Sequence, residues 1–503
     1  MAEVETKRIG VSISGMVQGV GFRPTVYRYA KASGLSGWVS NTSQGVIIEV
    51  EGESEKITDF LKCLKSSPPP RAEITNLVAS SLPLQNDRQF RILPSLTKTR
   101  PKTQISPDIA VCPECLKEIL DSADRRYLYP FLNCTNCRPR FTIIKSIPYD
   151  RLQTTMEKFA ICPACRQEYE DPVNRRFHAQ PNACPQCGPE VKLVRGREPE
   201  ILSKRTSSIE KTIELLRQGK IIAIKGLGGF HLACDGLNNK AIGKLRKRKY
   251  REDKPFALMA RDLDTIRRYC EVSAEEERLL VSWKRPIVLV RKKRNIAEQI
   301  APNNKYLGFM LPYTPLHHLL FSLSSARYPL SILVMTSANL SDEPICFENQ
   351  EAFKRLGDIA DYFLVNDRDI YIRCDDSVTR IFKDNEMVIR RSRGYVPQPI
   401  RVGFSFKDEI LACGAHLKNT FCLAKSNEVF LSHHIGDLEN VETLTAFEKG
   451  IEHFKRLFEI EPKVIAHDLH PEYLSTKYAQ DLKILKPDLR TVAVQHHHAH
   501  IVS

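Results

Sequence analysis

Eight of the fifteen cysteines lie in four Cys-X-X-Cys pairs, a spacing that lets two thiolates converge on one metal ion. Residues 116–133 and residues 166–183 separate the two pairs in each half of this region, and the equal gaps indicate an internal duplication. Four thiolates complete a tetrahedral zinc site with no open position, so we predict two structural zinc ions in tandem ribbons. The predicted ligands are Cys112, Cys115, Cys134, Cys137, Cys162, Cys165, Cys184 and Cys187.

The cysteine pattern leaves other arrangements open. Pairing within each half is the simplest assignment, but the sequence also allows the four pairs to interleave. A disulfide-exchange role would need a thioredoxin-like βαβ context, which is not apparent around these cysteines.

A glycine-rich stretch, GMVQGVGFRPTVYRYA at residues 15–30, precedes a helical pattern that begins near Arg23 and Pro24. Glycines let the backbone approach a ligand closely, and a helix N-terminus presents free N–H groups to an anion. Arg23 adds a planar two-pronged donor, so the stretch predicts a phosphate cradle. The alternative is a tight connection without a ligand. The predicted phosphate loop consists of Gln18, Gly19, Val20, Gly21 and Phe22.

Basic and polar residues recur through the middle of the chain. The strand pattern ILVMTSAN (332–339) is apolar and then ends in small hydroxyl and amide residues, as ligand-binding strands of α/β sheets do. We predict a triphosphate pocket here, although composition alone supports only an anion-binding α/β domain and basic runs are usually solvated. The candidate triphosphate-binding residues are Lys225, Lys249, Arg251, Lys254, Ser337, Asn339, Arg391 and Arg393.

The last residues, VAVQHHHAHIVS, place His496 and His500 four positions apart. On a helix both lie on one face, close enough to share a metal ion, and another ligand must come from elsewhere. A tag remnant or a solvated tail is the alternative, but the strand pattern TVAVQ directly before the histidines argues against it.

The chain as a whole has the composition of a multidomain globular protein. Its 503 residues predict three or four domains at about 150 residues each. The formal charge of +15 suits nucleotides, acyl phosphates or RNA, or reflects only a solvated basic surface. We expect no membrane span, because no run of about 18 apolar residues occurs, and no secretory signal, because the start is charged. We therefore expect a cytoplasmic protein.

The elements that must position these residues can be predicted in outline. The first ninety residues follow the order βαββαβ, typical of the ferredoxin-like unit, with strands at 8–14, 37–41, 45–52, 73–80 and 88–93. Residues 190–208 are polar, basic and poorly periodic, and we interpret them as a linker. In the last hundred residues we predict a helix at 447–460 and a strand followed by a helix start over 463–476.

Two local patterns resemble known domain families. VQGVGFR and GWVSNTSQG, within the βαββαβ order, closely resemble the acylphosphatase family. That resemblance implies that Arg23 holds the phosphate and that Asn41 positions the attacking water. The middle motifs resemble the YrdC-like domain, whose members bind ATP and a carbamoyl or carbamate unit. The match is firmest for Ser-Ala-Asn at 337–339, and the Lys-X-Arg pair of that family matches best at Lys249 and Arg251.

The order of the four regions resembles the HypF family, the carbamoyltransferase of NiFe-hydrogenase maturation. It implies a multidomain α+β and α/β fold: an acylphosphatase-like ferredoxin-like domain (1–95), tandem C4 zinc ribbons (105–192), a YrdC-like α/β domain (203–398) and the first part of an actin/hexokinase-type transferase domain (408–503). In that last domain the family uses two histidines of HHHAH as metal ligands, here His496 and His500. Its carboxylate ligand would lie beyond Ser503, so we expect a truncated domain, from a fragment or from a naturally shortened protein.

The resemblance also implies a reaction sequence. Carbamoyl phosphate is hydrolysed, the carbamate is joined to AMP from ATP with magnesium, and the carbamoyl group passes to the C-terminal cysteine of HypE as precursor of the iron cyanide ligands. The implied cofactors are two structural zinc ions and a further metal ion at the C-terminal histidines, and no membrane or nucleic-acid partner is expected. A tRNA-modifying threonylcarbamoyl enzyme and a non-enzymatic zinc-ribbon scaffold are the alternatives. The former leaves the acylphosphatase-like domain unexplained.

Overall fold

The computed structural model describes residues 5–17, 20–42, 45–69, 72–94, 105–137, 139–147, 149–294, 296–324, 329–340 and 343–503. The first ninety residues form an antiparallel sheet covered by two helices, in the order β1 (Thr6–Met16), α1 (Phe22–Ala32), β2 (Ser36–Thr42), β3 (Gly45–Glu53), α2 (Ser54–Ser66), β4 (Glu73–Leu82) and β5 (Phe90–Ile92). The strand order is β4-β1-β3-β2-β5, and only β2 and β5 run parallel. The predicted ferredoxin-like order is therefore confirmed.

The cysteine-rich region has little regular structure. Each half contains one short helix, α3 (Pro113–Leu120) or α4 (Pro163–Glu170). Both helices start directly after a cysteine and have proline in the first turn, where its missing N–H costs nothing. A 3₁₀ turn (Arg151–Gln153) lies between them. The repeated start confirms the duplication inferred from the cysteine spacing.

The third region is built on a sheet of twelve strands in the order β17-β16-β12-β13-β10-β14-β9-β8-β15-β6-β7, with β11 paired to β12. Its strands are β6 (Val191–Arg195), β7 (Glu200–Lys204), β8 (Ile222–Lys225), β9 (Phe230–Asp235), β10 (Ala257–Ala260), β11 (Cys270–Glu271), β12 (Ile287–Lys292), β13 (Tyr306–Met310), β14 (Ile332–Ser337), β15 (Tyr362–Asn366), β16 (Val378–Phe382) and β17 (Asn385–Arg390). Its helices are α5 (Thr206–Arg217), α6 (Asn239–Arg248), α7 (Leu263–Tyr269), α8 (Ala274–Val281), α9 (Pro315–Ser322) and α10 (Asn349–Leu356), with a 3₁₀ turn at Glu298–Ile300.

The linker interpretation of residues 190–208 is wrong. Strands β6 and β7 form a hairpin on the edge of the twelve-stranded sheet, and β6 pairs with β15. Val191, Leu193 and Val194 are buried there, although lysines and arginines surround them in the sequence. β6 lies between β15 and the edge strand β7, and Leu193 and Val194 belong to two different apolar cores, so both faces of β6 are covered.

The last hundred residues form a sheet in the order β18-β21-β20-β19-β22-β23. The elements are β18 (Ile400–Arg401), β19 (Ile410–Ala412), β20 (Cys422–Lys425), β21 (Glu428–Leu431), α11 (Val441–Phe458), β22 (Val464–Asp468), α12 (Leu474–Leu485), β23 (Arg490–Val494) and α13 (His496–Val502). The helix predicted at 447–460 is confirmed as the larger part of α11, and β22 followed by α12 confirms the strand and helix start predicted over 463–476. His496 and His500 lie on a helix, α13, as predicted.

The cysteine-rich region packs against both of its C-terminal neighbours. Its apolar side chains share one core with the twelve-stranded sheet, and Phe141 and Ile144 belong to a second core with Phe421 and Phe454 of the last region. The cysteine-rich region therefore packs between the twelve-stranded sheet and the C-terminal region. Among the helices in the described part of the chain, none combines the length and the apolar character needed to cross a membrane.

Candidate functional site

The eight paired cysteines form two separate clusters, one in each half of the repeat. In the first, Sγ–Sγ distances are 3.7 Å for Cys112–Cys134, 3.8 Å for Cys134–Cys137 and 3.5 Å for Cys137–Cys115. In the second, Cys162, Cys165, Cys184 and Cys187 are related by distances of 3.7 to 3.8 Å. Zn–S bonds of about 2.3 Å in a tetrahedron need sulfurs at these spacings. Both clusters fit structural zinc, and pairing within each half is confirmed over the interleaved alternative.

Arginines cross between the two ribbons. Arg125 and Arg126 of the first ribbon donate to Cys165 Sγ of the second at 3.2 and 3.4 Å. In the other direction Arg175 donates to Cys112 and Cys115 of the first ribbon at 3.3 and 3.0 Å. Arg-Arg-aromatic triplets at 125–127 and 175–177 occupy equivalent positions of the repeat. This repeated pattern is the sequence feature that could have predicted the crossing arginines.

The first predicted catalytic pair is brought together. Arg23 lies in the first turn of α1 and Asn41 lies on β2. With the Asn41 amide oriented so that its oxygen faces the guanidinium, Arg23 donates to it from Nη2 and Nε at 3.2 Å each. Asn41 is 8% exposed, so its amide is held by the fold at the edge of the site.

The phosphate loop is described from Val20 onward, and Gln18 and Gly19 lie outside the described residues. Gly21 is the N-cap of α1 with φ 82°, a left-handed conformation that favours glycine. A Cβ on Gly21 would lie 3.0 Å from Thr135 Cγ2 and 3.5 Å from Asn136 Oδ1 of the first ribbon. The turn between Cys134 and Cys137 therefore packs directly against the phosphate loop. No local sequence pattern predicts this contact.

A cavity of about 370 Å³ lies in the third region, at the ends of β9 and β14. Three of the predicted residues, Arg251, Lys254 and Ser337, line it. It is also lined by Arg390, Asp375, Asp376 and His231, which the sequence reasoning missed. Its size and its mixture of apolar walls with a few charged groups are typical of a small-molecule site.

Lys249 lies beneath this cavity rather than in its wall. Its Nζ donates to Ser337 O at 2.9 Å, Asn339 O at 2.5 Å and Asn339 Oδ1 at 2.6 Å, and Ser337 Oγ donates to the same amide oxygen at 2.9 Å. Burial, aided by the charge of Arg251, lowers the pKa of Lys249 to about 7. Lys249 therefore fixes the turn that carries Ser337 and Asn339.

Three predicted basic residues point elsewhere. Lys225 lines a separate cavity of about 40 Å³ against the first ribbon and donates to Asn349 Oδ1 at 2.9 Å, and burial lowers its pKa to about 8. Arg391 donates to Leu431 O at 2.9 Å, so it connects the third region to the last one. Arg393 is 1% exposed and lies below the cavity. In each case nearby oxygen acceptors determine the direction of the side chain, and the sequence does not show which acceptors will lie nearby.

Arg393 lies behind two polar residues of the cavity wall, Asp376 and His231. It donates from Nε to Asp376 Oδ1 at 2.6 Å, and Asp376 Oδ2 lies 2.8 Å from His231 Nε2. Burial opposes ionisation of Asp376, but the charge of Arg393 and the hydrogen bond of His231 outweigh it and hold the pKa of Asp376 well below its usual range. His231 lies opposite Ser337 in the register of β9 and β14, so these hydrogen bonds stiffen the strand ends that form the cavity.

The two C-terminal histidines lie on one face of α13, with ring centroids 4.9 Å apart. His496 Nδ1 is 2.7 Å from Asp468 Oδ2, which leaves Nε2 for a metal ion. The two rings lie together as the i, i+4 spacing predicts, and their binding of a metal ion stays a prediction.

Comparison with known proteins defines the class of these domains. The family described as Acylphosphatase matches residues 9–92, and the HypF finger matches 111–144 and 161–194. The family described as Telomere recombination (Sua5, YciO and YrdC) matches 214–392, and the HypF Kae1-like domain matches 405–503. The chain thus combines an acylphosphatase fold, paired zinc fingers, a YrdC-like domain and part of a Kae1-like domain.

Relatives that match nearly the whole chain identify the family. The chain is 47% identical over 99% of its length to a carbamoyltransferase HypF from Synechocystis sp., and 46% identical to carbamoyltransferase HypF2 from Cupriavidus necator. Among solved structures, a full-length HypF in the phosphate- and nucleotide-bound form superimposes with a TM-score of 0.91 at 47% identity, and HypF of T. kodakarensis with a TM-score of 0.85 at 44% identity. The chain belongs to the HypF family.

The similarity covers part of each relative. The chain spans 64% of the Synechocystis protein and 63% of the C. necator protein. It covers 64% and 63% of the two solved HypF chains.

Proposed function

We propose that the protein is a carbamoyltransferase of NiFe-hydrogenase maturation that consumes carbamoyl phosphate and ATP. The observation that carries the proposal is the presence, in one chain, of the Arg23–Asn41 pair and a basic cavity of about 370 Å³. The pair is suited to hydrolysing an acyl phosphate, and the cavity to activating the small acid released. The names of the relatives support the same assignment.

In the first step water attacks the phosphorus of carbamoyl phosphate, the bond from phosphorus to the acyl oxygen breaks, and carbamate and phosphate leave. Arg23 stabilises charge on the phosphoryl oxygens with two parallel donors. The neutral amide of Asn41 orients the water without repelling the anion. The contact of the Asn41 amide with the Arg23 guanidinium at 3.2 Å places the two side chains next to each other, so both can reach the same phosphoryl group.

In the second step a carbamate oxygen attacks the α-phosphorus of ATP, pyrophosphate leaves, and a carbamoyl-adenylate forms. Arg251, Lys254 and Arg390 in the cavity wall supply positive charge for the phosphates, and magnesium accompanies ATP as part of the substrate. Ser337 lies in the cavity wall, where its hydroxyl oxygen can accept a hydrogen bond from the carbamoyl amide. The Asn339 amide, hydrogen-bonded to Lys249, Ser337 and Glu343, holds the turn that carries Ser337.

In the third step the carbamoyl group moves to the C-terminal cysteine thiolate of a HypE-type acceptor, and AMP leaves. His496 and His500 would hold a metal ion that, when bound, supplies a Lewis acid for the carbamoyl oxygen. We place the protein in the cytoplasm, because two four-cysteine zinc sites suit a reducing compartment that keeps their thiolates from forming disulfides.

The test is ATP–pyrophosphate exchange by the purified chain, with and without carbamoyl phosphate. Exchange should require carbamoyl phosphate and should be lost in Arg23→Ala. The matched control is Arg28→Ala, on the exposed side of the same helix. Ammonium bicarbonate solutions contain carbamate, so they should restore exchange in Arg23→Ala if the adenylation cavity is intact.

Other outcomes would favour other functions. Exchange that depends on threonine and bicarbonate would indicate a threonylcarbamoyl enzyme of tRNA modification. An absence of exchange under all conditions would indicate a zinc-ribbon scaffold.

A further inference from the structure

Asp468 lies at the end of β22 and contacts the first residue of α13. Strands β22 and β23 run parallel with Asp468 opposite Val494, so the carboxyl ends of both strands meet at one edge of the sheet. His496 follows β23 by two residues. This topology brings its imidazole to the Asp468 carboxylate at 2.7 Å, between Nδ1 and Oδ2.

The carboxylate is fixed and the imidazole is partly open. The Asp468 side chain is 8% exposed, against 45% for His496. Its Oδ1 accepts from the backbone N–H of His470 at 2.9 Å, and Thr476 Oγ1 donates to its backbone carbonyl at 3.1 Å. Within the described residues no lysine or arginine forms an ion pair with Asp468, and the His496 imidazole is the hydrogen-bond partner of its Oδ2.

A carboxylate can only accept a hydrogen bond, so the contact places the proton of His496 on Nδ1. The neutral ring then carries its lone pair on Nε2, the nitrogen that faces away from the carboxylate. Metal-ligating histidines generally donate their other N–H to such a partner, which fixes the ring and raises its basicity.

We propose that Asp468 is a positioning residue that holds His496 in the Nδ1–H tautomer and so presents Nε2 as a metal ligand. This inference rests on the metal site of the proposed function. An aromatic stack supports the same turn: His470 and Tyr473 lie 4.2 Å apart and nearly parallel, and His416 stacks on Tyr473 at 5.2 Å. The stack stiffens the segment that carries Asp468, and His470 of the stack also donates its backbone N–H to the carboxylate.

The first measurement is the tautomer of His496 in metal-free buffer, read from long-range proton–nitrogen NMR of protein labelled with ¹⁵N-histidine. The His496→Gln variant identifies the signal. We expect Nδ1–H in the wild type and a shift toward the Nε2–H form in Asp468→Ala. An Nε2–H ring in the wild type would overturn the inference without bearing on the metal site itself.

The second measurement is a Zn²⁺ titration of protein whose two ribbons are already loaded. Asp468→Asn keeps the shape of the side chain and removes its charge, and it should weaken binding of the third ion by 10- to 100-fold, the usual effect of losing such a partner. Asp481→Asn, on the exposed face of α12, is the matched control and should bind like the wild type.

The outcomes separate the two claims. Equal affinity in the wild type and Asp468→Asn, with a third ion bound, would reject the positioning role and leave the metal site standing. No third ion in the wild type would reject the metal site of the proposed function and, with it, the role of Asp468.

Discussion

Arg175 of the second zinc ribbon donates from Nη2 to Cys115 Sγ of the first at 3.0 Å, and Arg126 of the first reciprocates to Cys165 of the second at 3.4 Å. Glu118 and Glu168, each three residues after a ligand, pair with the crossing arginines. A zinc ion with four thiolates carries a net charge of −2, which is costly to bury without such donors. Each ribbon therefore neutralises the metal site of the other.

This exchange predicts that the two zinc sites lose metal together. Arg175→Gln removes both hydrogen bonds from the guanidinium to the thiolates of the first ribbon, so zinc release from that ribbon should accelerate about tenfold, consistent with loss of a partner group around a metal. The second ribbon should then lose its zinc as well, because Arg125 and Arg126, which donate to Cys165, are held in place by the folded first ribbon. Release into a chromophoric chelator measures both phases. Arg166→Gln, which is exposed on α4, is the control, and unchanged release from the second ribbon would contradict the coupling.

A second prediction concerns the division of labour between Arg23 and Asn41. Asn41→Ala should lower the rate constant for carbamoyl phosphate hydrolysis by about 10²- to 10³-fold, the usual effect of losing one transition-state donor, while inorganic phosphate still binds. Arg23→Ala should abolish phosphate binding as well, because the two-pronged donor is lost. Isothermal titration with phosphate and steady-state hydrolysis separate the two effects. Equal loss of phosphate affinity in both variants would contradict the assigned roles.

A third prediction concerns Lys249, which the structure places under the cavity wall. Lys249→Met leaves the carbonyls of Ser337 and Asn339 without their buried donor, at a cost of about 1–3 kcal/mol for each unsatisfied group. We expect a lower thermal midpoint together with weaker nucleotide binding. Lys254→Met, in the wall itself, should weaken nucleotide binding and leave the thermal midpoint nearly unchanged. Nucleotide binding with wild-type affinity in Lys249→Met would show that the turn does not depend on this ammonium.

The sequence predicted what local patterns determine. The alternation of β2 and β3, the 18-residue gaps between cysteine pairs and the helix that carries His496 and His500 all depend on neighbours within one or two elements. Each of these was visible because its periodicity or spacing is characteristic of one kind of structure.

The sequence did not predict side-chain directions or strand pairings that depend on a partner far along the chain. Arg391 and Arg393 have the same chemistry as Arg390, yet only Arg390 lines the cavity, because Leu431 O and Asp376 capture the other two. The β6–β7 hairpin was missed for a similar reason, since its burial depends on pairing with β15, more than 160 residues away. Direction and depth of a side chain are tertiary properties, which composition does not encode.

The last prediction is an acid sensitivity of the core between the ribbons and the C-terminal region. His453 is 2% exposed on α11, beside Phe141 and Tyr371, and burial, aided by the charge of Arg456, lowers its pKa to about 3. The unfolded chain binds this proton near pH 6.5, so the stabilising contribution is complete above that pH and is lost as the pH falls toward 3, by about 1.4 kcal/mol per pH unit.

Replacing the ring tests this directly. His453→Phe keeps an aromatic side chain among aromatic neighbours and cannot be protonated, so at pH 5.0 its α11 peptides should exchange amide hydrogens up to about thirtyfold more slowly than those of the wild type. At pH 7.5 the two proteins should be close, because the wild-type histidine is then neutral in both folded and unfolded states. His498→Phe, exposed on α13, controls for the added phenyl group. A difference of the same size at both pH values would reflect packing rather than protonation and would refute the assignment of the acid sensitivity to His453.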